Sequence, residues 1–391
     1  MMRIVQLANF HTPTSGGLRT VLDQLGRHYV AGGHHVVRVV PGQHDSVSDV
    51  NGVEEIRLRA PLVPGMGGYR AITNTRRVDQ LLERLAPDVI ELSDKTTLVG
   101  SARVQRHRGA AVVMISHERL DAILARRVPA FLPLTQLADR WNRRLIGAVD
   151  AVVCCSDFAA AEFGRVDAPQ LFRVPLGVDL QAFQPAADQP VDSSGPRRLI
   201  IVGRLSSEKE PEVAIDTLRV LVERQIAAEL VVVGDGPIRL ALERRSVGLP
   251  VQFLGHVGSR DVLSRLISNA DVCIAPCEAE TFGLAALEAL ACGTPVVVPA
   301  GGALAELVDG TIAGRVVARS AAGNRASWFA DAIVALTSAD RATARDAARR
   351  RAEQFTWSAT SSAMLSLMED LVQRHGEGVS RRGREYSSAA H

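Results

Sequence analysis

The sequence contains very little lysine, few aromatic residues and no long apolar segment. Only Lys95 and Lys209 are lysines among 45 basic residues, and aromatic residues make up 4% of the 391 residues. No run approaches the roughly 18 to 20 consecutive apolar residues of a membrane-spanning helix, which argues against a transmembrane segment. The N-terminus leads directly into a strand-like stretch and lacks the apolar region of a secretory signal, so we expect a cytoplasmic protein.

A strong excess of charge of one sign is also absent. The chain carries 45 basic and 43 acidic residues, a net charge of +2, which argues against nucleic-acid binding. Because an ammonium and a guanidinium are not interchangeable at a binding site, each of the rare lysines is a candidate functional residue. The five cysteines form no C-x-x-C pair and most lie in apolar, strand-like runs, which indicates reduced and buried thiols.

Short runs rich in β-branched residues alternate with helical stretches, a pattern typical of parallel sheets covered by helices. The predicted strands form two sets, residues 3–8, 35–40, 88–92, 111–116, 151–155 and 171–174, and residues 199–203, 230–234, 251–254, 272–275, 295–298 and 315–317. Both sets are almost continuously apolar, as expected of strands buried on two faces. The sequence therefore predicts an α/β protein with two Rossmann-like, doubly wound parallel-sheet domains that face a ligand cleft.

Composition divides the chain further. We expect an N-terminal domain over residues 1–180 and a C-terminal domain over residues 198–355. Residues 181–197 are rich in proline and serine and are predicted to form a linker. Residues 356–376 are predicted to form a helix that packs back toward the N-terminal domain, followed by a disordered polar tail over residues 377–391.

Two Rossmann-like halves first suggest a dinucleotide-dependent enzyme. The best candidate loop is G-D-G-P-I-R at residues 234–239, where Arg239 occupies the third glycine position and Pro237 removes an amide that would contact the pyrophosphate. The dinucleotide fingerprint therefore fails, and no phosphate-binding G-x-x-x-x-G-K-[ST] sequence occurs.

A stronger signal is E-T-F-G-L-A-A-L-E at residues 280–288, which follows a predicted strand and opens a helix. The amides of Phe282, Gly283 and Leu284 are predicted to be the unbonded donors of its first turn, an arrangement that binds anions. Glu280 would lie just outside the helix and Glu288 about two turns inside it. The alternative interpretation is a helix with one acidic capping residue and one exposed glutamate.

This stretch resembles the E-x7-E motif of retaining glycosyltransferases with the GT-B fold, specifically glycosyltransferase family 4. Six further segments resemble motifs of that family and follow its order along nearly the whole chain. They are Gly16-Gly17, residues 116–118 (S-H-E), residues 176–179 (L-G-V-D) with Phe183, residues 202–205 (V-G-R-L) with Glu208 and Lys209, residues 234–237 (G-D-G-P), and residues 253–257 (F-L-G-H-V).

The resemblance implies a nucleotide-sugar donor, bound by the domain over residues 198–355, with the domain over residues 1–180 on the acceptor side. Arg204 and Lys209 would neutralise its diphosphate, Glu280 would bind sugar hydroxyls, and Glu288 would accept hydrogen bonds from the ribose. The implied donor-binding residues are Gly16, Gly17, Gly255, Val257, Thr281, Phe282, Gly283, Leu284 and Glu288, of which the first two belong to the opposite domain, so that domain closure would complete the site. In the alternative interpretation Lys209 is a solvated residue at a helix start.

The implied catalytic residues are His117, Arg204, Lys209 and Glu280. His117 would contact the sugar through its ring or its backbone carbonyl; the alternative is a structural histidine. The chain has no Asp-x-Asp sequence, the type of carboxylate cluster that a divalent cation requires, so we expect neither a metal ion nor a cofactor. The resemblance also implies retention of the donor's α configuration. Because no carboxylate can be assigned as a nucleophile, we expect retention to occur by same-face attack.

Within the family, the N-terminal half and the arginine-rich composition resemble actinobacterial (mycobacterial) phosphatidylinositol mannosyltransferases, including the type that extends the dimannoside. This implies GDP-mannose as the donor and a mannosylated phosphatidylinositol lipid as the acceptor, at the inner face of the plasma membrane. Two alternatives stay open. One is a family 4 enzyme that uses UDP-glucose or a soluble acceptor, and the other is a nucleotide-sugar epimerase of the same fold.

Two basic segments are candidates for acceptor or membrane binding. Leu134, Leu137, Trp141 and Leu145 recur at helical spacing, and Arg140, Arg143 and Arg144 flank them. Such a helix suits an anionic membrane surface, but it could equally pack its apolar stripe on the sheet. Arg70, followed by Arg76 and Arg77, could meet an inositol phosphate, or these arginines could be solvated.

Overall fold

The computed structural model describes residues 1–12, 16–64, 68–122, 133–168, 170–186, 195–308, 310, 312–318, 323–338 and 340–388, with side chains up to residue 377. The chain forms two compact units. Unit 1 consists of Met1–Pro175 together with the chain from Trp357 onward, and unit 2 consists of Leu176–Thr356.

Unit 1 is built on an eight-stranded sheet of order β3-β4-β2-β1-β5-β6-β7-β8. Its strands are β1 (Arg3–Ala8), β2 (His35–Gly42), β3 (Ser46–Val50), β4 (Val53–Arg59), β5 (Val89–Ser93), β6 (Ala111–Ser116), β7 (Ala151–Cys154) and β8 (Leu171–Arg173). Its described helices up to Pro175 are α1 (Gly17–Ala31), α2 (Thr75–Leu85), α3 (Val99–His107), α4 (Leu134–Ile146) and α5 (Asp157–Gly164). β5 and β6 are buried along their whole length, which explains their uninterrupted apolar sequences.

Unit 2 is built on a six-stranded, entirely parallel sheet of order β11-β10-β9-β12-β13-β14. Its strands are β9 (Arg197–Val202), β10 (Ala228–Val233), β11 (Val251–Gly255), β12 (Val272–Ile274), β13 (Val296–Pro299) and β14 (Gly314–Val317). Its described helices are α6 (Glu212–Glu223), α7 (Arg239–Arg245), α8 (Arg260–Ser268), α9 (Leu284–Ala291), α10 (Leu304–Val308), α11 (Arg325–Thr337) and α12 (Arg341–Ala352).

The predicted fold class of two parallel α/β sheets is confirmed. All twelve predicted strands are present, each with its ends within two residues of the prediction. The sequence reading missed the antiparallel hairpin of β3 and β4 at the edge of the first sheet. Its turn is Asn51-Gly52, and both residues have positive φ values, 56° and 82°, as the tight hairpin turn with this dipeptide requires.

The boundary between the units differs from the predicted one. Residues 176–180, expected in the first domain, belong to unit 2 because the Val178 amide donates to the Phe355 carbonyl at 3.1 Å, next to the point where the chain returns to unit 1. Of the predicted linker, residues 187–194 lie outside the described residues, and β9 already begins at Arg197.

The last helix, α13 (Trp357–Ser388), begins beside the predicted start and packs against α1 and β6 of unit 1. It extends to Ser388 and so includes the first part of the segment, residues 377–391, that the sequence predicts to be a disordered tail. Within the described residues, no helix combines the length and the apolar character needed to cross a bilayer.

Candidate active site

In unit 2, backbone hydrogen bonds join the carboxyl ends of β9, β10 and β11. The Gly203 amide donates to Val233 at 3.0 Å, and the Gly234 amide donates to Gly255 at 2.8 Å. A Cβ at Gly234 would lie 1.8 Å from the Gly203 carbonyl oxygen, and the φ of Gly234 is 135°. The glycines of the G-D-G-P loop therefore permit close packing of neighbouring strand ends, which explains their presence without a dinucleotide.

Lys209 and Glu280 meet at this edge of the sheet. The Lys209 ammonium donates to Glu280 Oε2 at 2.6 Å, although 71 positions separate the two residues. Lys209 ends the 3₁₀ turn Ser207–Lys209 after β9, and half-buried Arg204 lies on the same connection. The structure thus brings together two residues that the sequence assigned to phosphate and to sugar, and Lys209 is not simply a solvated residue.

The helix that carries the second half of the motif starts later than predicted. α9 begins at Leu284, and Gly283 precedes it in the left-handed conformation with φ 96°. A helix cannot continue through a residue with positive φ, so Gly283 is the N-cap, and the first bond of the helix runs from the Leu287 amide to the Gly283 carbonyl at 3.0 Å. The amides that precede this bond are those of residues 283–286, which include the predicted Gly283 and Leu284 but not Phe282. A Cβ at Gly283 would lie 2.2 Å from Leu304 Cδ2, so this position has no room for a side chain.

Glu288 lies one turn inside α9, closer to the helix start than predicted. It is half-buried, which differs from the exposed glutamate of the alternative interpretation. Burial raises its pKa to about 7, and the nearby Arg260 guanidinium opposes that shift. Thr281 and Phe282 are buried, and the Phe282 ring packs edge-on against Phe355 at 6.0 Å between ring centroids.

Two contacts that the sequence did not indicate connect the Lys209 segment to the Glu280 segment, and a third connects the Lys209 segment to α11. The Cys277 thiol donates to the Glu208 carbonyl at 2.9 Å, and the Glu278 amide donates to Glu210 Oε2 at 3.3 Å. Arg325, the first residue of α11, donates to both carboxylate oxygens of Glu210, at 3.0 and 3.2 Å. No motif marks Arg325 among the many arginines of this chain.

Two of the predicted donor-binding residues, Gly255 and Val257, lie at the carboxyl end of β11, next to β10 in the sheet. Gly255 is the last residue of β11, and its carbonyl accepts the Gly234 amide. Val257 is half-buried two residues further on. Gly255 and Val257 therefore lie at the same edge of the sheet as Lys209.

In unit 1, the predicted Gly16-Gly17 loop leads into α1. Gly17 is the first helical residue, and the Gly16 carbonyl accepts the Thr20 amide at 3.1 Å. A Cβ at Gly16 would meet no atom within 4 Å, so packing within the unit does not require a glycine there. Residues 13–15, immediately before it, lie outside the described residues.

His117 follows β6, and its Nε2 lies 2.8 Å from the hydroxyl oxygen of Ser93 at the end of β5. Burial lowers the pKa of the His117 ring to about 4, and the positive charge of Lys95 lowers it further. The ring is therefore neutral near pH 7 and can orient or hydrogen-bond a ligand, but it does not carry a charge. Neither Ser93 nor Lys95 belongs to the motifs that identified the family.

The predicted membrane helix is present as α4, and only part of its apolar stripe is buried. Leu145 is buried, whereas Leu137 and Trp141 are 48% and 38% exposed. Arg140, Arg143 and Arg144 are exposed. Burial against the sheet therefore accounts for only part of the stripe.

Arg70 is half-buried, and its guanidinium donates to the Ala60 carbonyl at 2.6 Å. Arg77 pairs with Asp45 at 2.9 Å between exposed side chains. All five cysteines are buried and form no disulfide, as predicted. Among the described residues, no three His, Cys, Asp or Glu side chains cluster closely enough to hold a metal ion.

Two family models match the chain. Residues 15–182 match the model described as Glycosyltransferase Family 4, and residues 196–339 match Glycosyl transferases group 1. The GDP-mannose-dependent alpha-(1-6)-phosphatidylinositol dimannoside mannosyltransferase of Mycobacterium tuberculosis is 42% identical over 373 residues, which cover 94% of this chain and 96% of that protein. The D-inositol 3-phosphate glycosyltransferase of Saccharomonospora viridis is 32% identical over 257 residues, 59% of this chain and 58% of that protein.

Solved structures agree on the fold. Sucrose-phosphate synthase from Thermosynechococcus elongatus superposes with a TM-score of 0.79 at 22% identity, covering 96% of this chain and all of that one. A glycosyltransferase from Rickettsia africae superposes with a TM-score of 0.73 at 17% identity, covering 95% of this chain and 98% of that one. The predicted GT-B fold class is confirmed, and the family models and the 42% identical relative establish that the chain belongs to glycosyltransferase family 4.

Proposed function

We propose that this enzyme transfers mannose from GDP-mannose to a mannosylated phosphatidylinositol lipid, giving an α-mannosyl product without a metal ion. The mycobacterial relative, which aligns along 94% of the chain, is named for this donor and this class of acceptor. The observation that carries the proposal for the site is the contact between Lys209 and Glu280 at 2.6 Å.

The Lys209–Glu280 pair explains how one site serves two parts of the donor. Both side chains are partly exposed, 38% and 24%, so an incoming diphosphate can replace Glu280 as the partner of the ammonium. Glu280 is then available to accept hydrogen bonds from sugar hydroxyls. Arg204 and the first amides of α9 add positive potential at the same sheet edge, where negative charge grows on the departing diphosphate.

These groups take the place of a metal ion in neutralising the leaving group. We expect full turnover in excess EDTA, because two fixed cations and helix-start amides already face the diphosphate. Assays with EDTA, Mg²⁺ and Mn²⁺ test this, and a strict requirement for either cation contradicts it.

Retention of configuration follows in our proposal from attack on the same face that the diphosphate leaves. The leaving phosphate takes the proton of the acceptor hydroxyl, and neutral His117 contacts the sugar. Glu280, once the diphosphate has replaced it at Lys209, is assigned to sugar hydroxyls and not to nucleophilic attack. Trapping a glycosyl-enzyme ester on a carboxylate would contradict this mechanism, and a β-linked product would contradict retention itself.

For the lipid acceptor, we propose that α4 contacts the cytoplasmic surface of the plasma membrane. Exposed Leu137 and Trp141 lie beside three exposed arginines, a combination that suits an anionic leaflet, where each cation contributes about 1 kcal/mol. Arg140→Gln, Arg143→Gln and Arg144→Gln combined should weaken sedimentation with phosphatidylinositol-containing vesicles. The matched control replaces Arg224, Arg244 and Arg350, exposed arginines of unit 2, by Gln.

A soluble acceptor is the second candidate, since the Saccharomonospora viridis relative is named for D-inositol 3-phosphate. The test supplies labelled GDP-mannose or UDP-glucose with either phosphatidylinositol dimannoside vesicles or soluble inositol phosphate. Labelled lipid formed only from GDP-mannose supports the proposal. Labelled inositol phosphate, or labelled lipid formed from UDP-glucose, would replace it with the corresponding alternative.

A further inference from the structure

The other lysine of the chain, Lys95, has no part in the family motifs. It follows Ser93 of β5 by two residues, and its side chain is 14% exposed. Its ammonium donates to the Glu118 carbonyl at 2.6 Å and to Glu162 Oε2 at 3.0 Å, and lies 4.9 Å from the centre of the Phe163 ring. The ammonium is therefore committed to fixed partners within unit 1.

Its partner Glu162, on α5, is completely buried. One carboxylate oxygen binds Lys95. The other accepts the amides of Leu120 at 2.6 Å and Asp121 at 3.1 Å. A single ion pair thus binds the backbone at residues 118, 120 and 121. We name residues 117–122, of which 120–122 are helical, the His117 loop.

The supports of the His117 ring and of its loop come from the same strand end. Ser93 contacts the ring at 2.8 Å, and Lys95 holds the next carbonyl along the chain. The Trp141 indole of α4 in turn donates to the Lys95 carbonyl at 2.9 Å. Contacts from α4, from α5 and from the end of β5 with the residues after it therefore set the position of the His117 loop together.

We propose that Lys95 and Glu162 are positioning residues for the reaction, because their buried ion pair fixes the His117 loop in the geometry that contacts the sugar. A buried ion pair is a poor source of stability, since apolar side chains of similar volume often stabilise a core equally well. Apolar side chains at positions 95 and 162 could not form the hydrogen bonds that Lys95 and Glu162 make to the backbone of the His117 loop. The inference rests on the proposed function of His117.

Four variants test the inference. Lys95→Met leaves the Glu162 carboxylate buried without its cation, whereas Lys95→Met combined with Glu162→Leu removes both charges. Lys95→Arg keeps the charge and several donors, and His117→Ala tests the histidine itself. For each we measure kcat and KM with GDP-mannose and phosphatidylinositol dimannoside vesicles, GDP-mannose affinity by calorimetry without acceptor, and the urea midpoint.

We expect the double variant to recover part of the urea midpoint that Lys95→Met loses, because no charge stays buried alone. Its kcat should stay about 10²-fold lower than that of the parent, the loss typical of displacing a reacting group by about 1 Å. Its affinity for GDP-mannose should be close to that of the parent, because the proposed diphosphate and ribose contacts of unit 2 are unchanged. Lys95→Arg should recover part of the lost kcat without a change in KM for the donor.

Recovery of the parent kcat by the double variant would overturn the inference, because the pair would then be only a structural element. If His117→Ala keeps the parent kcat, the proposed role of His117 fails and the inference fails with it. If His117→Ala loses activity while the double variant does not, only the inference fails. The matched control is Arg173→Met with Asp157→Asn, an exposed pair that also involves α5 and should change neither kcat nor the urea midpoint.

Discussion

The two lysines of this chain both pair with glutamates, but in opposite surroundings. Lys209 contacts Glu280 at 2.6 Å with 38% and 24% of the two side chains exposed. Lys95 contacts Glu162 at 3.0 Å with 14% and 0% exposed. Water reaches the first pair, so its partners can be exchanged for those of a ligand. The second pair has no such alternative, because either charge left alone would remain in an apolar interior.

Similar contact distances in two ion pairs can therefore correspond to different functions. An exposed pair contributes roughly 0 to 1 kcal/mol to stability, and its charged groups can exchange each other for a ligand. A buried pair is costly to break from one side, and its value lies in the geometry that it maintains.

The stability contrast should be the largest effect. Lys95→Met should lower the free energy of unfolding by about 3 to 5 kcal/mol, because the Glu162 carboxylate stays buried without its cation. Lys209→Met should lower it by at most about 1 kcal/mol, since Glu280 can be solvated. Urea denaturation followed by circular dichroism measures both. Equal losses in the two variants would show that burial does not separate the pairs.

For the exposed Lys209–Glu280 pair, we expect a large loss of turnover on substitution although the loss of stability is small. Lys209→Ala removes a cation that interacts most strongly with the departing diphosphate, so kcat should fall by roughly 10²-fold or more. Arg204→Ala should behave similarly for the same reason. Steady-state kinetics with GDP-mannose measure the loss, and an unchanged urea midpoint excludes unfolding as its cause. Turnover close to that of the parent in either variant would place the diphosphate elsewhere.

Local patterns were sufficient to predict much of the fold. The strands of both sheets were found because buried parallel strands have uninterrupted apolar sequences, as in β6. The β3–β4 hairpin was missed because β3 is largely exposed, so its sequence lacks the apolar run of a buried strand. The Asn51-Gly52 dipeptide was the available signal for that turn.

The candidate site was predictable only where it consists of short motifs. The sequence identified Lys209 and Glu280 separately, but their contact across 71 positions depends on the order of strands in the sheet. Arg325 contacts Glu210 across 115 positions, and no periodicity or motif encodes that contact. Lys95 was noticed only for the rarity of lysine, since its partners at residues 118 and 162 come from other elements.

A substitution at the start of α9 should have an effect of intermediate size on stability. Gly283→Ala would place a Cβ 2.2 Å from Leu304 Cδ2 at a φ of 96°, so we expect a loss of about 1 to 3 kcal/mol in unfolding free energy and weaker binding of GDP-mannose. Leu304→Ala combined with it should relieve the clash but not the backbone strain. The control is Gly100→Ala within α3, where a Cβ meets no atom within 4 Å and should stabilise the helix by roughly 0.5 to 1 kcal/mol. A neutral Gly283→Ala would show that the helix start can adjust.

The smallest effect concerns Glu288, a half-buried carboxyl group whose pKa is raised to about 7 by burial. If its carboxylate accepts hydrogen bonds from the ribose, binding of GDP-mannose requires the deprotonated form. Affinity should therefore rise as the pH increases from 6 to 8, by up to about tenfold, because a group with a pKa near 7 is roughly 10% ionised one pH unit below it. Calorimetry with GDP-mannose in the absence of acceptor measures the affinity without turnover. Glu288→Gln should bind more weakly at pH 8 and lose the pH dependence. The control His256→Asn, at the exposed histidine of the F-L-G-H-V segment, should leave the pH dependence intact. If the pH dependence survives in Glu288→Gln, another group titrates, and binding of the ribose does not require the Glu288 carboxylate.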